Sequence, residues 1–141
     1  MSALAIEGFA SLFNREDLGG DIVLPGAFAS LDTAARPIPM LYQHEPGEPI
    51  GRWQVIASRQ AGLWVEGEIF DVTARARSVQ ALVRRGALSG LSIGFQTRSA
   101  RPRPRGGRFL TGIELWEVSI VTFPMLPQAR LHLAEPRERA A

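Results

Sequence analysis

A single stretch of this chain carries a clear helical period, and the rest of its apolar sequence comes in short runs that suit strands. From Asp71 to Arg85, the residues Val72, Ala76, Val79, Leu82 and Val83 recur at helical spacing. Asp71 is placed to cap the N-terminus of this helix and Gly86 to stop it. The other apolar runs are Leu4 to Phe13, Asp21 to Leu24, Ile38 to Tyr42, Ile50 to Ile56, Leu63 to Phe70, Leu88 to Thr97 and Phe109 to Phe123. Polar or Gly/Pro-rich loops separate them at Asn14 to Gly20, Glu45 to Pro49, Arg59 to Gly62 and Arg98 to Gly107. The pattern predicts a hairpin between Ile50 and Phe70, with Leu63, Val65, Gly67 and Ile69 on one face. Pro25-Gly26-Ala27-Phe28 is expected to open a short helix. Several short strands with one helix point to a β-rich α+β domain, a barrel or sandwich with helical additions. The length of 141 residues suits one core, here a single domain over 1–133, with 134–141 a charged, flexible tail.

Composition excludes several classes. With no cysteine there are no disulfides and no thiolate metal sites. Two histidines, His44 and His132, lie far from metal-ligand spacing, so no metal is expected, and no sequence feature implies a cofactor. The sequence pI is about 10.3 although the net charge is only +2. All 16 basic residues are arginine, which stays charged to very high pH and drags the pI upward. Nucleic acid is therefore not the expected partner, despite five arginines between Arg98 and Arg108. That stretch reads either as a surface for an acidic partner or as a solvated loop. No run approaches the roughly 18 apolar residues of a membrane span. The N-terminus lacks a basic and then apolar leader, so a cytoplasmic protein is expected.

Three residues stand out as chemically useful. In Leu91-Ser92-Ile93-Gly94-Phe95, alternation turns the apolar side chains one way and Ser92 and Gly94 the other. A serine with a glycine two residues on leaves room for a substrate backbone, as a nucleophile on a strand requires. The same pattern also suits a small residue on a crowded sheet face. His44 ends an apolar strand before a loop, where a partly exposed imidazole is able to take a serine proton near neutral pH. Glu117 lies within Leu115-Trp116-Glu117-Val118-Ser119-Ile120-Val121 and shares a face with Ser119. Burial in such a strand penalises a carboxylate unless it is paired, and a histidine would pair it. An edge-strand carboxylate facing water is the other reading, and Glu114 is its rival on the Trp116 face.

These segments together resemble the prohead protease family of tailed bacteriophages and phage-derived gene transfer agents. The resemblance runs from Ile6-Glu7-Gly8-Phe9 through Pro25-Gly26-Ala27-Phe28, Met40-Leu41-Tyr42-Gln43-His44, Pro49-Ile50-Gly51 and Gly62-Leu63-Trp64-Val65-Glu66-Gly67. It continues with Gly90-Leu91-Ser92-Ile93-Gly94-Phe95 and ends on Glu117-Val118-Ser119-Ile120-Val121-Thr122-Phe123-Pro124. It implies a herpesvirus-assemblin-like fold, a closed or partly closed β-barrel wrapped by helices. It implies a serine endopeptidase with His44, Ser92 and Glu117 as its catalytic residues. Such enzymes cleave scaffold or the N-terminal part of the major capsid protein inside the assembling procapsid, and many cleave themselves. A homodimer is implied as well. Longer members carry a C-terminal extension beyond the Glu117 strand. A non-catalytic capsid-assembly factor of the same fold is the alternative, and an arginine-loop nucleic-acid binder ranks below it.

Overall fold

The computed structural model describes residues 2–31 and 36–134. Along the chain run β1 (Leu4–Leu12), β2 (Ile22–Val23), β3 (Pro39–Tyr42), β4 (Glu45–Ser58), β5 (Gly62–Ile69), α1 (Ala74–Arg84), β6 (Gly90–Pro102), β7 (Arg108–Val121) and β8 (Leu131–Leu133). The eight strands form one sheet in the order β2-β7-β3-β4-β5-β1-β8, with β6 pairing to β7 off that path. β6 lies antiparallel along β7, from Gly90 opposite Val121 to Pro102 opposite Arg108. β2 and β3 pair in parallel with β7.

Period-two burial builds the core. β5 buries Leu63, Val65, Gly67 and Ile69, the face predicted from its alternation. Ile6 of β1, Met40 of β3, Ile50 of β4, Leu91 of β6, and Val118 and Ile120 of β7 join them in a single cluster. Each such side chain contributes roughly 1.5–3 kcal/mol on leaving water. The two ends of the sheet approach one another through a bridge between Gly90 and Arg130 and through Leu91 N–H donating to the Ala129 carbonyl at 2.9 Å. No continuous ladder closes the ring there, so the sheet is open. One helix accompanies it among the described residues. Of the expected closed or partly closed barrel wrapped by helices, the described residues show the mostly β architecture and one helix, with the sheet not closed.

Several local expectations shift. Thr73, not Asp71, caps α1: its Oγ1 accepts the Ala76 N–H at 3.0 Å. The helix buries Ala76, Val79, Gln80 and Val83, while Val72 and Leu82 are exposed. Val72 precedes the helix and has no place on its periodic face. Gln80 takes the buried position because its amide donates to the carbonyls of Ile69 and Phe70 at 2.8 and 3.0 Å. Pro25 to Phe28 forms turns rather than a helix, because Gly26 at φ 89° leaves the helical region. Glu45 to Pro49 belongs to β4 and is not a free loop, with Tyr42 opposite Glu45 and Leu41 opposite Pro49. The Arg98 to Gly107 stretch is mostly β6 and the tip of its hairpin with β7. Arg98 and Arg103 there, and Arg108 just beyond, pair with Glu114, Glu16 and Asp21. Arg108 holds the Asp21 carboxyl below its usual range. β8 was not anticipated; it pairs with β1, and Ala134 N–H donates to the Ala5 carbonyl at 3.1 Å. The remainder of the expected tail, 135–141, lies outside the described residues.

Candidate active site

Gln43 and His44 are the whole of the turn between β3 and β4. Both are left-handed, at φ 53° and 59°. The type I′ two-residue hairpin needs positive φ at both central positions, and Asn-Gly supplies it most readily. A non-glycine residue held in that region costs about 1–3 kcal/mol, so the surroundings must over-determine it. They do. Gln43 N–H donates to the Ile120 carbonyl at 3.0 Å. Gln43 Nε2 donates to Thr122 Oγ1 at 2.7 Å, and its Oε1 accepts the Thr122 N–H at 3.2 Å. His44 N–H donates to Ser119 Oγ at 3.0 Å.

The imidazole of His44 points at the carboxyl of Glu117. Nδ1 lies 2.7 Å from Oε1 and 3.1 Å from Oε2. A carboxylate only accepts, so Nδ1 carries the hydrogen, and in the neutral imidazole Nε2 is left with its lone pair. The hydrogen bond to Glu117 raises the His44 pKa above the ordinary histidine value, against the opposing effect of partial burial. Glu117 is buried, and Ser119 Oγ donates to its Oε2 at 2.7 Å.

The β6–β7 register explains how a carboxylate fits there. Gly94 stands directly opposite Glu117. A Cβ at Gly94 would lie 2.7 Å from Glu117 Cγ and 2.8 Å from Cδ and Oε1. The space left by this glycine is therefore filled by Glu117, not by a substrate backbone as its spacing from Ser92 suggested. A register shift between Gly94 and Phe95 leaves Trp116 out of the pairing; its indole is exposed and donates to Glu114 Oε2 at 2.8 Å. Glu114 accordingly sits at the surface beside Arg98, away from His44.

Ser92 is opposite Ser119 in the same ladder. Ser92 and His44 both line a cavity of about 220 Å³. Its walls include Ala10 and Leu12 of β1, Ile93 and Phe95 of β6, and Met125. It lies between β1 and β6, which do not pair. Of the three predicted residues, the structure brings His44 against Glu117 and sets His44 and Ser92 on one cavity. Ser92 Oγ has no hydrogen-bond partner among the described residues, and such bonds commonly tighten only when substrate is bound. Sequence reasoning passed over Ser119, Gln43 and Thr122; the sharing of a face by Ser119 and Glu117 was the one available signal. His132 lies elsewhere, 3.2 Å from Glu7 on the outer surface. Among the described residues no three His, Asp or Glu side chains are grouped as a metal would require. No described helix is long and apolar enough to cross a membrane.

The fold is that of the herpesvirus assemblins. A crystal structure of KSHV protease in complex with a hexapeptide phosphonate inhibitor superposes with a TM-score of 0.61 at 14% identity, covering 95% of this chain and 66% of that one. The sequence model of the caudovirus prohead serine protease family matches residues 1–140, and the chain belongs to that family. The prohead protease of Enterobacteria phage HK97 is 36% identical over 127 residues, which are 87% of this chain and 56% of that protein. The prohead protease of Escherichia phage T5 is 29% identical over 135 residues, 92% of this chain and 62% of its own length. The chain thus spans less than two thirds of the length of these relatives.

Proposed function

We propose that this protein is a serine endopeptidase of capsid maturation, with Ser92 as nucleophile, His44 as general base and acid, and Glu117 as the group that orients the histidine. The observation that carries this reading is the His44 Nδ1–Glu117 Oε1 hydrogen bond of 2.7 Å behind a cavity that His44 shares with Ser92. Ser92 Oγ attacks the scissile carbonyl carbon while His44 Nε2 takes its proton. The tetrahedral intermediate collapses as His44 returns the proton to the leaving amine, and an acyl-serine remains. Water then attacks the ester by the same route, regenerating Ser92. Backbone N–H groups stabilise the developing oxyanion. Glu117 stabilises the imidazolium that forms in each half-reaction, as the raised His44 pKa supports. The apolar walls of the cavity suit an apolar side chain of an extended peptide.

The substrates in this reading are scaffold or the N-terminal part of the major capsid protein, cut within the assembling procapsid, and this chain itself. Family membership supports them, together with the names of the two phage relatives. A homodimer belongs to the same reading. The test is co-expression with the major capsid protein of the same genome. Cleavage is expected with the native sequence and not with Ser92→Ala. A capsid protein of unchanged mass in mature particles would instead favour a non-catalytic assembly factor.

A further inference from the structure

We infer that Ser119 is a positioning residue that locks His44 and Glu117 into one closed hydrogen-bonded ring, with Gln43 and Thr122 as a second clamp on the same turn. The inference rests on the proposed roles of His44 and Glu117 and adds the device that holds them. Ser119 is fully buried, and its Oγ has two partners. A backbone N–H only donates and a carboxylate only accepts, so the direction of every bond follows from chemistry. Ser119 donates to Glu117 Oε2, Glu117 Oε1 accepts from His44 Nδ1, and the His44 backbone N–H donates back to Ser119 Oγ. Three residues close a ring in which the hydroxyl both gives and receives.

The ring grips His44 at two points, its main chain and its ring nitrogen. That matters because the imidazole is 44% exposed and would otherwise be free to turn about its side-chain torsions. It matters again because the turn carrying it is left-handed at two non-glycine residues and would relax if released. Gln43 repeats the device one residue earlier, with its amide paired to both the hydroxyl and the N–H of Thr122. Both clamps come from the end of β7 and the residue after it, the segment that also carries Glu117. β7 therefore supplies the orienting carboxylate and the groups that hold the histidine to it. Ser119 touches no reacting atom in this scheme; it acts through His44 and Glu117.

A fluorophosphonate probe that modifies the activated serine tests this without knowledge of the substrate, its inactivation kinetics resolved into a binding constant and a maximal rate. Ser119→Ala is expected to lower the maximal rate by about ten- to hundredfold with the binding constant unchanged. Ser119→Cys, which keeps a weak donor and acceptor, is expected to recover part of the loss. In NMR spectra of imidazole-labelled protein, the His44 Nδ1 proton is expected to move or broaden in Ser119→Ala. Thr122→Val, far gentler on the buried core, is expected to slow the reaction severalfold and carries the test should Ser119→Ala fail to fold. Ser92 modified at the native rate in both variants, with the His44 resonance unmoved, would overturn the clamp and leave the nucleophile assignment standing. A native protein unmodified at Ser92, whose His44 resonance still shifts in Ser119→Ala, would sustain the clamp and refute the nucleophile.

Discussion

His44 joins two unfavourable choices, a left-handed backbone and a side chain nearly half exposed, and both become intelligible once Glu117 and Ser119 are placed behind it. Its raised pKa has two consequences of opposite direction. As a base His44 acts when neutral, so the rate on any peptide substrate is expected to climb with pH through a value above the ordinary histidine pKa of about 6.5. In Glu117→Gln that limb should move to lower pH, which a pH–rate profile would show. Stability runs the other way. A folded pKa above the unfolded one stabilises the native state fully below the unfolded value, and this is lost as pH rises through the folded pKa. The stability gap between native protein and Glu117→Gln should therefore narrow from acid to alkaline pH in denaturant titrations. Gly94→Ala forces Glu117 aside, because the new Cβ would come within 2.7 Å of it. Catalysis should fall about a hundredfold, as an ångström of misplacement can cost, while the fold survives. At this scale residue type and alternation singled out His44, Ser92 and Glu117 as candidates, and the structure sets His44 against Glu117 and beside the same cavity as Ser92. The sequence concealed the clamp, since nothing in Gln43-His44 advertises a turn that usually takes Asn-Gly.

At the scale of elements, strands were readable wherever one face is buried, as in β5, because alternation is the direct imprint of that burial. β8 was hidden: three residues pairing with β1 give too short a pattern. The helix was readable in its centre and misjudged at its start. Asp71 and Thr73 are both capping types, and only the geometry shows Thr73 Oγ1 on the Ala76 N–H. Thr73→Ala should cost about 1 kcal/mol in chemical denaturation, whereas Asp71→Ala should not disturb the cap. Both should leave serine reactivity as it was, since neither residue touches the cavity. The arginine stretch looked like a free surface because sequence does not reveal partners. Glu16 and Asp21, distant in the chain, take up Arg103 and Arg108 and tie the hairpin tip to the segment before β2.

Across the whole molecule, His44 meets Glu117 and shares a cavity with Ser92 because β7 is paired on both edges, with β3 leading into His44 and β6 carrying Ser92. β1 and β6 do not pair, and both contribute residues to the largely apolar cavity beside His44 and Ser92. No local pattern announces this arrangement; order and spacing of motifs pointed to the family, and the family to the fold. The central claim is an activated serine at position 92. Reaction with a fluorophosphonate, followed by mass-spectrometric mapping of the modified residue, tests it most directly. Modification on Ser92, lost in His44→Ala, is the predicted result. A native, folded protein that modifies no faster at Ser92 than His44→Ala does would contradict it.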